Sequence, residues 1–113
     1  MAVEWSDSIL MANLADEPAL SDELSLIIEK LEDGGQPPHA VLDLSEVTYI
    51  NSSNIAQLIR LRKILEESSR EMRISGVQDE VMSVLMVTGL DKVFKFAPDT
   101  LTAIAGLQLI DSE

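Results

Sequence analysis

Ala40–Leu61, AVLDLSEVTYINSSNIAQLIRL, decides how the rest of the chain is read. Ala40-Val41-Leu42-Asp43-Leu44 is a short, almost continuous apolar run, as expected of a central strand covered on both faces. A polar turn with two adjacent serines, Ser52 and Ser53, follows, and an amphipathic helix starts there. That helix is predicted from Ser53 to about Ser68, packing through Ile55, Leu58, Ile59, Leu61 and Leu65 and wetting Arg60, Lys63, Glu66 and Glu67. Serine hydroxyls in a first helical turn lie where free backbone N–H groups point outward, a geometry suited to a capping oxygen or a phosphate. The simplest role for Ser52 or Ser53 is therefore the N-cap, worth about 1 kcal/mol.

Working outward, Ala2–Trp5 and Ile9–Leu14 read as two short strands around a Ser6-Asp7-Ser8 turn, with Trp5 in core or edge packing. Asp16-Glu17-Pro18 opens a helix with Pro18 in its first turn, and Glu17, Asp22 and Glu23 complement the positive end of its dipole. Leu20, Leu24, Ile27, Ile28 and Leu31 form its apolar stripe; Gly34-Gly35 ends it and Pro37-Pro38 prevents resumption. Downstream, Glu71–Ser75 is a strand with Met72 and Ile74 on one face. Asp79–Thr88 is a helix with Val81, Val84 and Leu85 inward, followed by Gly89 as its left-handed cap. Val93–Phe96 reads as a last strand, and Pro98-Asp99 starts a helix using Leu101, Ile104 and Ala105. The order ββαβαβαβα predicts a single α/β domain over residues 1–113, its sheet mixed but mostly parallel.

Composition narrows the function classes. Hydrophobic residues at 46% and charged residues at 25% describe an ordinary folded chain rather than a disordered one. There is no cysteine, so neither disulfides nor thiolate metal sites are possible. MAVEWSDS lacks the basic and apolar regions of a signal peptide, and no apolar run reaches the roughly 20 residues of a membrane span. A cytoplasmic location is the expectation. The net charge is −12, with eleven acids and one base in residues 1–50 (−10) and nine acids and seven bases in residues 51–113 (−2). Nucleic acid, which requires a basic footprint, is not an expected partner. Arg60, Arg62, Lys63, Arg70 and Arg73 cluster on and just after the central helix, as a solvated face or half of a docking surface.

Catalytic constellations are weak. His39 is the only histidine, with no second His and no Cys to complete a metal site. No Gly-x-Ser-x-Gly elbow surrounds Ser52, and no Gly-rich phosphate loop follows a strand. Neither an enzyme nor a cofactor is expected, although an enzyme or small-ligand binder using the apolar sheet and Ser52 is a rival reading.

Asp43-Leu44-Ser45-Glu46-Val47 followed by Tyr49-Ile50-Asn51-Ser52-Ser53-Asn54 resembles the core motif of STAS domains, typified by the bacterial anti-sigma factor antagonists. Thr88-Gly89-Leu90-Asp91-Lys92-Val93-Phe94 is similar to the family's segment after the third helix, and the resemblance spans about Val3 to Leu107. It implies the STAS fold and a regulatory protein that binds an anti-sigma factor with serine-kinase activity. It also implies that Ser52 is the phosphoacceptor, with docking lost on phosphorylation, and that Asn51, Ser52, Ser53, Asn54, Gln57 and Arg60 meet the partner. Asn51 stands where the family has Asp, and Asn54 where it has Gly. Those departures keep open a non-phosphorylated STAS adaptor of a transporter or signalling scaffold. Near the first helix, Leu14-Ala15-Asp16-Glu17 stands in for the family's Gly-x-Leu-Asp.

Overall fold

Alternating side chains sort the strands onto the two faces of one sheet, and each face buries its own cluster. The computed structural model describes residues 2–5 and 8–111. In chain order the elements are β1 (Ala2–Trp5), β2 (Ile9–Ala15), α1 (Ala19–Glu32), β3 (His39–Glu46), α2 (Ser52–Glu67), β4 (Met72–Ser75), α3 (Asp79–Val87), β5 (Phe96–Ala97) and α4 (Thr100–Asp111). The predicted order ββαβαβαβα is thus observed, with a single 3-10 turn, Leu90–Lys92, added before β5. Spatial strand order follows the chain, β1-β2-β3-β4-β5. β1 pairs antiparallel with β2, and every later pair is parallel, with Leu10 beside Ala40, Leu42 beside Ile74, and Ile74 beside Phe96.

When sequential parallel strands all step the same way, right-handed crossovers place every connecting helix on one face. Leu10, Ala12 and Leu14 of β2, Ala40, Leu42 and Leu44 of β3, and Met72 and Ile74 of β4 accordingly form one cluster with α1, α2 and α3. The alternate residues Ile9 and Val41 face the other way and are covered by Ala103 and Leu107 of α4. β3 is therefore buried on both faces, which is why its sequence is a continuous apolar run. All five residues of the α1 stripe are buried.

Several local expectations change. Pro18 precedes the first turn of α1 rather than lying in it, and the first turn carries only Asp22 as an acid. Glu23 does not serve the dipole from solvent but is buried, at 5% exposure, and desolvation pushes its carboxyl above the usual range. In α2, Leu58, Leu61 and Leu65 are buried while Ile59, one residue or 100° round from Leu58, is 43% exposed. The strand predicted at Val93–Phe96 shrinks to Phe96–Ala97. The Leu90 carbonyl accepts from the N–H groups of Val93 and Phe94, at 3.0 and 3.1 Å, and keeps that backbone coiled. In α4 the inward residues are Ala103 and Leu107, whereas Leu101 and Ala105 point to solvent. The Ser6-Asp7 part of the first turn and the Trp5 side chain lie outside the described residues. Gly89, at φ 77°, takes the left-handed conformation its place after α3 requires.

Candidate functional site

The turn between β3 and α2 is held from two sides. On the α1 side, Asp16 accepts from the Thr48 N–H at 2.8 Å and the Thr48 hydroxyl at 2.7 Å, tying the end of β2 to the segment after β3. Those bonds hold the Asp16 carboxyl below its ordinary value. Glu17 accepts from the Ser21 hydroxyl and, at 2.6 Å, from the Ser21 N–H, and these two bonds lower its carboxyl further than the contacts from Asn54 and Asn51 do. A carboxylate just before Pro18 thus serves the exposed N–H groups of α1, as a capping side chain would.

On the α2 side the cap is Asn51, not a serine. Asn51 is extended (φ −112°, ψ 177°), and its side-chain oxygen accepts from the Asn54 N–H at 2.9 Å. Asn54 returns the bond, its own side-chain oxygen accepting from the Asn51 N–H at 3.0 Å, which closes a capping box. Asn54 is fully buried, and its amide nitrogen reaches Glu17 Oε2 and Ser21 Oγ at 3.4 Å. Asn51 Nδ2 also lies 3.4 Å from Glu17 Oε2. Gln57 completes the brace, donating to the Ser21 carbonyl and the Ser25 hydroxyl at 2.9 Å each. The two asparagines that replace the resembled family's Asp and Gly therefore knit α2 to the entrance of α1.

The consequence falls on the serines. Ser52 and Ser53 are the first two residues of α2 and both are exposed, with the capping work done on either side of them. The expectation that one of them caps the helix is thus corrected: Asn51 and Asn54 form the capping box and leave Ser52 and Ser53 at the surface. Sequence reasoning missed the asparagine box, although Asn-x-x-Asn before an apolar helix pattern carries that signal.

The remaining predicted residues divide. Asn51 is exposed, and so is Arg60, which pairs with Glu32 of α1. Gln57 is half-buried between the helices. Tyr49, Leu26 and Ile59, exposed by 52, 57 and 43%, add apolar surface near the turn and along α1 and α2. His39 starts β3, while Ser52 follows its far end, about 23 Å away at the rise of a strand. His39 is buried, and its Nδ1 accepts from the Glu71 N–H at 2.9 Å, so it joins β3 to β4 and not to the serines. Among the described residues no group of three or more His, Cys, Asp or Glu could hold a metal ion, and no helix is long and apolar enough to cross a membrane.

Known proteins share this architecture. An anti-sigma-factor antagonist (STAS) domain protein from Planctomyces limnophilus superposes with a TM-score of 0.81 at 21% identity, covering 95% of this chain and 97% of that one. A variant of RsbS from Moorella thermoacetica gives 0.80 at 16% identity over 99% and 97%. The STAS domain of a SulP transporter from Vibrio cholerae gives 0.80 at 17% identity over 97% and 89%. At such identities the likeness speaks for the fold. Residues 14–103, most of the chain, match the family described as the STAS domain. The chain belongs to the STAS domain family.

Proposed function

We propose that this chain is an anti-sigma factor antagonist-like regulator, which binds an anti-sigma factor with serine-kinase activity and is switched off by phosphorylation of Ser52. The observation that carries the proposal is the asparagine capping box, which leaves the Ser52 hydroxyl exposed at the first turn of a helix. A phosphate there adds about −1.5 to −2 charge at the positive end of the α2 dipole, so the fold tolerates it. The neighbourhood is already acidic, with Asp16 and Glu17 bonded into the same turn. A partner surface fitted to a neutral hydroxyl is then rejected by desolvation and like-charge repulsion. Asn51, Ser52, Ser53 and Arg60 supply exposed contacts, with Tyr49 and Ile59 as apolar neighbours; Asn54 and Gln57 act by holding the turn in place. The protein works as a cytoplasmic binding module and uses no catalytic group of its own.

A second reading, a constitutive STAS adaptor in a transporter or signalling scaffold, is favoured by one observation. The residue before Ser52 is Asn51, so no carboxylate adjoins the hydroxyl in sequence. Intact mass of the protein purified from its own host, with peptide mapping across Thr48–Arg60, separates the two. A phosphorylated species at Ser52, together with loss of kinase binding in Ser52→Asp, is the expected result. Uniformly unmodified protein under several growth conditions, or a Ser52→Asp variant that binds as wild type does, overturns the switch in favour of the adaptor.

A further inference from the structure

Because β2 to β5 run parallel, their C-terminal ends and the helix starts that follow gather at one end of the molecule, the end that holds Ser52. That end is uniformly acidic. The corner between β2 and α1 carries Asp16, Glu17 and Asp22, and the close of β3 carries Asp43 and Glu46. Asp79 and Glu80 open α3, and Asp99 accepts from the Thr102 N–H of α4 at 2.7 Å. Hydrogen bonds from Thr48, Ser21 and Thr102 hold the carboxyls of Asp16, Glu17 and Asp99 below their ordinary values, so all three stay charged at neutral pH. Every Lys and Arg of the chain lies toward the opposite end, from Lys30 near the close of α1 to Lys92 and Lys95 before β5. Four of those bases are already paired there with Glu32, Glu66 and Glu71. With buried Glu23 left aside, the eight carboxylates around Ser52 meet no cation and make up two-thirds of the net −12.

We infer that the Ser52 end is an electrostatic landing surface for a partner protein whose docking face is rich in Lys and Arg. The inference rests on the reading of the Ser52 turn as the docking site and adds the chemistry of what docks there. Four helix N-termini at the same end contribute about +0.5 each, which offsets about a quarter of the eight charges. The field that remains is negative. It draws in a basic face and orients it with the Ser52 turn foremost, while repelling nucleic acid and anionic lipid. This field reaches over a Debye length of about 8–10 Å, whereas a phosphate on Ser52 acts on the close fit around one hydroxyl. Steering therefore survives phosphorylation, and the switch falls on the dissociation rate.

The test has two arms. In the first, a hexa-arginine peptide stands for the partner's face and is titrated into the 15N-labelled chain at about 20 mM salt. Amide shifts are expected to gather at residues 16–22, 46–54 and 78–81 and to vanish by about 500 mM salt. Shifts of equal size along residues 29–33 and 66–71 overturn the inference. In the second arm, stopped-flow mixing follows association with the kinase purified by its Ser52-phosphorylating activity. The association rate should fall at least tenfold between about 50 and about 500 mM salt. Glu46→Gln with Asp79→Asn and Glu80→Gln removes three of the eight charges, roughly three-eighths of the logarithm of a 10–10³-fold steering factor. It should slow association about two- to tenfold at low salt. Glu29→Gln with Asp33→Asn and Glu67→Gln makes the same change in net charge at the other end and should stay within about 1.5-fold of wild type. Equal slowing by the two triple variants, or a rate indifferent to salt, overturns the inference. If no such kinase is found, the proposed function fails, and the peptide arm still decides whether this end receives a basic face.

Discussion

Replacing Asn54 by alanine tests the construction of the serine turn directly. The substitution deletes the 3.0 Å bond from the Asn51 N–H to Asn54 Oδ1. One intramolecular hydrogen bond contributes about 0.5–1.5 kcal/mol. The Nδ2 contacts to Glu17, Ser21 and Gln57, at 3.4–3.5 Å, are at the long edge of bonding distance and together add about 0.5–1 kcal/mol. Alanine's better helix propensity returns about 0.5 kcal/mol. A net loss of about 0.5–2 kcal/mol follows, equivalent to a fall in Tm of about 2–15 °C for a chain of this size. Urea unfolding followed by far-UV circular dichroism measures it. Ser52→Ala and Ser53→Ala should each stay within about 0.5 kcal/mol of wild type, because neither hydroxyl caps the helix. If Ser52→Ala costs as much as Asn54→Ala, or if Asn54→Ala is indistinguishable from wild type, the asparagine box is not what holds the turn.

The pH dependence has two opposite signs. Glu17, whose carboxyl is lowered from 4.5 chiefly by the Ser21 hydroxyl, contributes stability that is complete above the unfolded value and lost as pH falls through the folded one. The stability gap between wild type and Glu17→Gln should therefore close as the protein is taken from neutral pH to below about 4. Glu23 is raised by burial, so its contribution is favourable below 4.5 and turns into a cost as pH rises through its folded value. Glu23→Gln should gain stability over wild type at neutral pH and lose that advantage in acid, as paired thermal melts at the two pH values would show. Gly76→Ala should destabilise by about 2 kcal/mol or more, read from the urea midpoint. Gly76 has φ +67°, and an added Cβ would meet Asp43 Oδ1 at 3.0 Å and the Ser45 Cβ at 3.1 Å.

The order of elements, the parallel sheet and the α1 stripe were legible in the sequence because each rests on a local period. Leu20, Leu24, Ile27, Ile28 and Leu31 repeat at the helical spacing, and β3 is apolar throughout because both its faces are covered. The strand–Ser52–helix arrangement could also be read, since Asn51, Ser52 and Ser53 directly follow a buried strand and precede an amphipathic pattern. Which side chain caps α2 was not legible. Asn51, Ser52 and Ser53 are all good capping residues, and the choice among them depends on Glu17 and Ser21, more than 30 residues away. The same holds for the outer surface of α4. Its sequence is apolar nearly all round, so periodicity could not say which residues face β3, and Leu101 and Ala105 were assigned inward while Ala103 and Leu107 are the ones buried. Local patterns fix which elements form, because backbone periodicity is a short-range property. Which polar groups find each other, and which apolar faces stay in solvent, is decided only when the helices dock.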